Sequence, residues 1–297
     1  MNETVFVFPS RDAIEEVAIF ISTFNGQAQS HIGYCGRQKE EIVSSLKNDF
    51  TDIPFEKAFV VAYEGETLVG VLGFDADIEQ GSAEVWGPFL TDNQKEQGPL
   101  LFKKMLSILP SVVEKLSMFP NKENKMVTSI AVDFNFSKQS EQAILTMKRN
   151  DFNLTQVTRL PELPVQYYSE MMRLHDLAFP DTYYSGEQII RRLNAHRKVF
   201  AYEKEDCLAG YIYTEVEPEF SEASIEFFAV DERFRGNGIG ADLLRSAIAW
   251  IFSFKGMEEL QLCVNATNNH AIKLYQKSGF NLADELLFFE KKLKVRV

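Results

Sequence analysis

Three glycines within five residues, Gly236, Gly238 and Gly240, mark the segment of this sequence with the clearest chemical meaning. They follow a predicted strand that ends at Val230 and lead directly into a predicted helix. Glycines allow successive backbone N–H groups to converge on phosphate oxygens, and the start of a helix adds partial positive charge. The segment Arg235-Gly-Asn-Gly-Ile-Gly-Ala241 therefore predicts a phosphate cradle with a cation at its rim. A tight turn that binds nothing is the alternative explanation.

A second group of residues lies downstream in matching order. It comprises Val264-Asn-Ala-Thr-Asn268, Ala271, Leu274-Tyr275 and Gly279-Phe280. Together with Arg235, Gly238 and Gly240, which match the pattern Arg/Gln-x-x-Gly-x-Gly/Ala, it resembles the GNAT N-acetyltransferases. The resemblance covers roughly residues 155 to 297, and the first half of the chain resembles this family only through an internal repeat.

The resemblance implies acetyl-CoA as co-substrate and no metal. It places the amides of Phe228 and Val230 against the acetyl carbonyl and the pantetheine arm, and Asn268 near the cofactor. It also implies that Tyr275 protonates the departing thiolate, a role that a phenol with an ordinary pKa near 10 can fill. The residues expected to hold the cofactor are Phe228, Ala229, Val230, Arg235, Gly236, Asn237, Gly238, Ile239, Gly240, Ala241 and Asn268.

Transfer of an acetyl group to an amine also needs an acceptor for the amine's proton. Glu226 is the candidate, because strand alternation would place it on the same face as Phe228 and Val230. A solvated or ion-paired glutamate explains it equally well, since Glu84 takes the same place in the first half of the chain. The loop Phe179-Pro-Asp-Thr-Tyr-Tyr184 predicts contacts to a cationic acceptor through Asp181, Tyr183 and Tyr184.

The two halves of the chain repeat one another. Ala62-Tyr-Glu matches Ala201-Tyr-Glu, and Leu68-Val-Gly70 matches Leu208-Ala-Gly210, at offsets of about 140. Residues 143–154 match 271–282 at an offset of about 128, which sets Met147 at the place of Tyr275. We therefore predict an α/β (α+β) protein of two tandem GNAT-like domains, residues 1–153 and 154–297, each a mixed, mostly antiparallel sheet flanked by helices.

Both halves give a similar series of predicted elements. In the second half these are a strand at 154–158, helices at 165–178 and 187–195, strands at 199–203, 207–215 and 224–230, a helix at 238–254, a strand at 259–264, a helix at 270–278 and a strand at 285–292. In the first half they are helices at 13–24 and 39–48, a hairpin at 58–74, a strand at 83–90, a helix at 98–116, a strand at 126–134 and a helix at 139–150.

The first half is expected to lack the phosphate cradle. An offset of about 142 sets Asn93-Gln-Lys-Glu-Gln-Gly-Pro99 over the glycine segment, and only Gly98 is retained. Glu96 would bring a carboxylate to the place of Gly238, and Pro99 has no N–H to donate. With Met147 in place of Tyr275, both cofactor binding and acid chemistry would be lost.

Composition excludes several classes of function. The formal net charge of -12 at pH 7 disfavours a nucleic-acid partner. No apolar run is long enough to span a membrane, and three scattered cysteines indicate neither a disulfide framework nor a zinc site. We therefore expect a cytoplasmic protein, monomeric or homodimeric, with a small molecule or a peptide amine as partner.

Three functions are compatible with the sequence. The first is an N-acetyltransferase that moves an acetyl group from acetyl-CoA to a primary amine by direct transfer. The second is a catalytically silent, CoA-binding regulatory protein. The third is a dinucleotide-binding oxidoreductase, since Gly236-x-Gly238-x-x-Ala241 also fits that fingerprint, but five residues separate Val230 from the first glycine, which disfavours it.

Overall fold

The protein divides into two compact units. A computed structural model describes residues 4–152, 159–180, 182, 184–219 and 221–293. The first unit spans Met1–Gln142 and takes in Asp284–Val297, whereas the second unit spans Ala143–Ala283. This division differs from the predicted boundary between residues 153 and 154, because each unit includes a strand segment from the other half of the chain. The predicted strand at 154–158 lies outside the described residues.

The first half of the chain contains six strands and five α-helices among its described residues. They are β1 (Thr4–Val7), α1 (Ile14–Asn25), α2 (Lys39–Asn48), α3 (Phe55–Ala58), β2 (Phe59–Glu64), β3 (Thr67–Asp77), β4 (Ser82–Leu90), α4 (Gly98–Ile108), β5 (Lys115–Met118), α5 (Lys125–Asp133) and β6 (Ser137–Lys148). The second half continues with α6 (Tyr168–Ala178), α7 (Gly186–Arg192), β7 (Arg197–Lys204), β8 (Cys207–Glu217), β9 (Glu222–Val230), α8 (Ile239–Ile251), β10 (Glu259–Asn265), α9 (Asn269–Lys277) and β11 (Asn281–Lys292).

The sheet of the first unit runs in the order β1-β2-β3-β4-β5-β11. Its first four strands are antiparallel neighbours, β5 is parallel to β4, and β11 is antiparallel to β5. The last strand of the chain is therefore a member of the sheet of the first unit, next to β5. Asp284 fixes it there, because this buried carboxylate accepts two hydrogen bonds from Arg37, both at 2.7 Å, and one from Asn121 at 3.0 Å.

In the second unit, β7, β8 and β9 form an antiparallel sheet of three strands. Helix α8 packs against it through apolar side chains at helical spacing, including Leu243, Ala247 and Ile251. The other face of the sheet packs against α6 and α7 through residues such as Met171 and Ile189. Within the described residues no ladder joins β9 to β10, whose neighbour is β6, so the outer edge of β9 has no ladder partner.

Three elements of the first half differ from their predictions. The predicted strand at 126–134 is the helix α5, whose buried residues Val127, Ile130 and Ala131 have helical spacing. The predicted helix at 139–150 is wrong, because β6 occupies that stretch. The predicted helix at 98–116 ends at Ile108, where Leu109 is extended in front of Pro110, and the unpredicted strand β5 follows.

These differences correct the register of the repeat. Asn124 and Asn268 each cap a helix by accepting a hydrogen bond from the amide three residues later, at 3.1 Å in both cases. Counting seven residues on from each cap sets Ala131, and not Met147, at the place of Tyr275. The match of 143–154 to 271–282 is therefore wrong, because it equates a strand with a helix.

Candidate cofactor and acyl-transfer site

Five consecutive amides of the glycine segment, those of residues 236 to 240, are free. In the part of the chain that the structure describes, none of them donates a hydrogen bond to a protein acceptor, whereas the next amide, of Ala241, donates to the carbonyl of Gly238 at 2.9 Å. The segment ends where α8 begins, with Gly238 as the residue before its first turn. A run of unsatisfied N–H groups at a helix start is an anion-binding arrangement.

The backbone of this segment requires glycine at two positions. Gly236 and Gly238 have φ angles of 82° and 81°, in the left-handed region that other residues adopt at a cost. Nothing lies within 4 Å of the position that a Cβ would take at either residue, so the space above them is open. Asn237 has a supporting role, because its side-chain amide donates to the carbonyls of Phe234 and Arg235.

The glycine segment lines a cleft of about 670 Å³ within the second unit. Its described lining includes four residues that can carry positive charge and none that carries negative charge. Besides Gly236, Gly238 and Gly240, the lining residues are Ala178, Phe179, Phe228, Ala229, Val230, Phe234, Arg235, Ile239, Ala241, Asn268, His270, Ala271, Lys273, Leu274 and Lys277. In a protein with a net charge of -12, such a lining favours an anionic ligand.

The outer edge of β9 presents two backbone amides to this cleft. Asp231 donates its amide to the carbonyl of Ala209 on β8 at 3.0 Å, which fixes the phase of the antiparallel ladder. Because inward and outward groups alternate, the N–H and C=O groups of Phe228 and Val230 point away from β8. Arg235 confirms this orientation, since its Nε donates to the carbonyl of Val230 at 3.1 Å.

Tyr275 lies at the inner wall of the second unit and is 8% exposed. Its ring meets those of Phe228 and Phe280 edge to face, with centroids 6.1 Å and 5.8 Å apart. Its hydroxyl has no hydrogen-bond partner among the described residues. Burial raises the pKa of Tyr275 to about 12, so the phenol is protonated at neutral pH and can donate a hydrogen bond.

Glu226 occupies a β-bulge, which changes its predicted orientation. The register of β8 with β9 shifts where Tyr213 pairs with Phe227 and Thr214 pairs with Ile225, so Glu226 is the extra residue. The expectation that it shares a face with Phe228 is therefore wrong. It lines a separate depression of about 240 Å³ with Glu215, Glu217, Ala223 and Ser224.

The predicted acceptor loop is described only in part. Asp181 and Tyr183 lie outside the described residues. The ring of Tyr184 is covered by the guanidinium of Arg192, 4.1 Å from the ring centroid. That guanidinium also donates to Glu215, a residue that lines the same depression as Glu226.

His175 anchors this loop, a role that its isolated position in the sequence did not reveal. The side chain is fully buried on α6, and its Nε2 donates to the carbonyl of Tyr184 at 2.8 Å. In the neutral ring, Nδ1 then accepts from the hydroxyl of Tyr211 on β8, at 2.5 Å. His175 thus joins the acceptor loop to the sheet.

The corresponding region of the first unit is filled. A 3-10 helix, Asp92–Gln97, stands where the second unit has its glycine segment. A Cβ at Gly98 would come within 2.9 Å of Ile130 Cδ1 and 3.4 Å of Leu90 Cδ1, so apolar side chains already occupy the space beside it.

Glu84 is not the counterpart of Glu226. Gly70 on β3 and Gly210 on β8 are matched residues of the repeat. Asp75, five residues after Gly70, pairs with Glu84 on β4, and Glu215, five residues after Gly210, pairs with Ser224 on β9. The ladders therefore set Glu84 at the place of Ser224, and the predicted equivalence with Glu226 is wrong.

No group of three or more His, Cys, Asp or Glu side chains among the described residues could hold a metal ion. No helix in the described ranges has both the length and the apolar character that crossing a membrane requires.

Comparison with known proteins agrees with the geometry of the second unit. The model of the Acetyltransferase (GNAT) family matches residues 168–280. The spermine/spermidine N(1)-acetyltransferase of Bacillus subtilis (strain 168) is 31% identical over 98 residues, 31% of this chain and 64% of that protein. The chain thus spans less than two thirds of this relative. The [ribosomal protein bS18]-alanine N-acetyltransferase of Salmonella typhimurium is 32% identical over 131 residues, 44% of this chain and 82% of that protein.

Solved structures resemble the whole chain. A GCN5-related N-acetyltransferase from Sphaerobacter thermophilus has a TM-score of 0.63 at 12% identity, covering 97% of this chain and 95% of its own. A tandem GNAT protein from the clavulanic acid biosynthesis pathway has a TM-score of 0.57 at 13% identity, covering 98% of each chain. At these identities the likeness establishes the fold alone, and the predicted fold class is confirmed.

Proposed function

Because this chain belongs to the GNAT family of acetyltransferases, we propose that its second unit transfers an acetyl group from acetyl-CoA directly to a primary amine. The observation that carries the proposal is the run of five free amides at residues 236 to 240, open to a cleft lined by cations. A diphosphate fits such a run, because each oxygen can accept from a converging N–H group next to the start of α8. Acetyl-CoA would supply the activated thioester.

The outer edge of β9 supports the position of the acyl group in this proposal. The amide of Phe228 can donate to the thioester carbonyl, where negative charge develops during attack by the amine. The amide of Val230, two residues after Phe228 and closer to the glycine segment, can hold the pantetheine arm. Both groups are already oriented by the ladder of β9 with β8, so they need no reorganisation when the reaction occurs.

Tyr275 supports the departure of the thiolate. The raised pKa of about 12 keeps the proton on Tyr275. In this proposal Tyr275 therefore stabilises the departing thiolate by donating a hydrogen bond to the sulfur, without transferring its proton. The ring of Phe228 borders the cleft and packs against Tyr275, which itself is not part of the cleft lining. Contact between the Tyr275 hydroxyl and the sulfur therefore depends on the side chains, Phe228 among them, that separate Tyr275 from the cleft lining.

The acceptor in this proposal is an amine of a small molecule or peptide. Glu226 lies in the separate depression, so in this proposal it takes the amine's proton through water, and the carboxylates that share its depression would attract a cation. The names of the two relatives fit this range, since one acts on spermine and spermidine and the other on an alanine of a ribosomal protein. Tyr184, and Asp181 and Tyr183 by their place in the sequence, are the proposed acceptor contacts.

The first unit is proposed to bind no acetyl-CoA. Ile130 and Leu90 fill the space beside Gly98, and Ala131 at the place of Tyr275 has no proton to donate. We propose residues 1–153 as a degenerate domain and 154–297 as the acetyl-CoA-binding domain, apart from the strand segments that they exchange. The enzyme is proposed to be cytoplasmic, with its three cysteines kept as thiols in a reducing compartment, and monomeric or homodimeric.

A thiol-release assay tests the function. The purified chain is mixed with acetyl-CoA and a panel of amines that includes spermidine, a diamine and a peptide with N-terminal alanine, and free CoA is measured with a thiol reagent. Release that depends on an amine, with the acetylated amine identified by mass spectrometry, supports the proposal. Binding of acetyl-CoA without release across the whole panel would favour a CoA-binding regulatory protein.

A further inference from the structure

Two lysines on α9 border the cofactor cleft beyond the glycine segment. Lys273 and Lys277 are four residues apart, so they share one face of the helix with about 6 Å between them along its axis. Leu274, between them, lies 3.4 Å from the position of a Cβ at Gly240. This contact fixes the helix face against the glycine segment and sets both ammonium groups at the rim of the same cleft.

Neither lysine is neutralised by the protein. Among the described residues no carboxylate forms an ion pair with Lys273 or Lys277, and none lines the cleft. Arg235, the other strong cation of the lining, differs, since its Nη1 is 3.1 Å from Glu232 Oε1. Two unpaired ammonium groups on one helix face therefore make this rim the more electropositive side of the cleft.

The first unit provides an internal comparison. With Asn124 aligned to Asn268 as helix caps, Lys273 corresponds to Ser129 and Lys277 to Asp133. The filled unit therefore has a neutral residue and a carboxylate where the open unit has two cations. Only the unit with the free amides has the lysine pair among its described residues. We therefore associate both features with one ligand.

The amides and the lysines fit two separate anionic groups. Residues 236 to 240 can satisfy a diphosphate without help from a side-chain cation, so the lysine pair is left for charge elsewhere on the ligand. Coenzyme A has such a charge, because its ribose bears a phosphate apart from the diphosphate. We infer that Lys273 and Lys277 form a second anion subsite that binds this ribose phosphate and selects coenzyme A thioesters over those that lack it. The inference rests on the proposed function.

Calorimetric titration of the full chain with acetyl-CoA and with acetyl-3′-dephospho-CoA tests the subsite. We expect the wild-type chain to bind acetyl-CoA about tenfold more tightly, since two partly exposed charge contacts together contribute about this factor. The double variant Lys273→Gln, Lys277→Gln should bind both ligands alike, with the affinity of the wild type for the dephospho ligand. The charge-conserving variant Lys273→Arg, Lys277→Arg should retain most of the preference.

Lys255→Gln is the matched control, because this exposed lysine lies in the same unit outside the cleft and should leave both affinities unchanged. If the wild-type chain binds both ligands equally, or if the glutamine variant keeps the preference, the subsite is refuted and the proposed function stands. If the wild-type chain binds neither ligand, the proposed function fails, and this inference fails with it.

Discussion

Replacing Glu84 by glutamine is expected to change how the stability of the first unit depends on pH. Oε1 of Glu84 is buried and has no hydrogen-bond partner among the described residues. Burial, together with the charge of Asp75 directly across the ladder, raises the pKa of Glu84 from 4.5 to about 8. The folded chain therefore keeps this proton over a pH range in which the unfolded chain has released it.

The sign and size follow from proton linkage. A carboxyl group whose pKa is higher in the folded state contributes stability that is fully present below the unfolded pKa of 4.5 and is lost as pH rises towards the folded value of about 8. Between about pH 5.5 and pH 7.5 this loss amounts to about 2.5 kcal/mol, at about 1.4 kcal/mol for each pH unit. Glutamine cannot ionise, so the variant should lack this loss.

Urea unfolding at several pH values measures the effect. The fluorescence of Trp86, which lies in the first unit, can be followed in a Trp250→Phe background, since the chain contains two tryptophans. The gain in unfolding free energy from Glu84→Gln should increase by about 2.5 kcal/mol from pH 5.5 to pH 7.5. The exposed Glu79→Gln should show no such trend. A gain that is the same at all pH values would refute the reasoning.

Three further substitutions test the site and the fold. Tyr275→Phe should lower kcat by about tenfold to a hundredfold while the Kd for acetyl-CoA changes less than about twofold, and equal turnover would remove this hydroxyl from the mechanism. Gly238→Ala should cost about 1 kcal/mol of stability, because the φ angle of Gly238 is 81°. It should also weaken acetyl-CoA binding at least about tenfold, because it disturbs the free amides. Unchanged affinity would contradict the proposed phosphate cradle. Asp284→Ala should cost about 2 kcal/mol in a denaturant melt, since it leaves the buried Asn121 and the half-exposed Arg37 without their acceptor, and a loss below about 0.5 kcal/mol would refute that role.

Local sequence patterns were sufficient to predict the helices and strands of the second half of the chain. The described helices and strands there lie close to their predicted positions, because apolar periodicity and the glycine segment agree with the tertiary structure. The backbone turn of the proposed phosphate cradle was predictable because only glycine adopts positive φ without cost, as at Gly236 and Gly238. Asn268 was assigned to the cofactor, and the structure adds that its Oδ1 caps α9.

The remaining features depend on contacts distant in sequence. Helix α5 is rich in β-branched residues, which favour a strand, whereas β6 has a polar start, which favours a helix, so the local pattern predicts the wrong element in both places. The exchange of β11 and part of β6 between the units has no local signal. The bulge at Glu226 and the packing of Tyr275 against Phe228 depend on strand register and tertiary contacts, which a local pattern does not specify.

The most direct test of the account is the stoichiometry of acetyl-CoA binding to the full chain, measured by calorimetric titration. We expect one site per chain, which Gly238→Glu abolishes by placing a carboxylate among the free amides. Asn93→Glu, which adds the same charge in the corresponding segment of the first unit, should leave binding intact. Two sites per chain, or one site that survives Gly238→Glu, would contradict the assignment of the cofactor to the second unit.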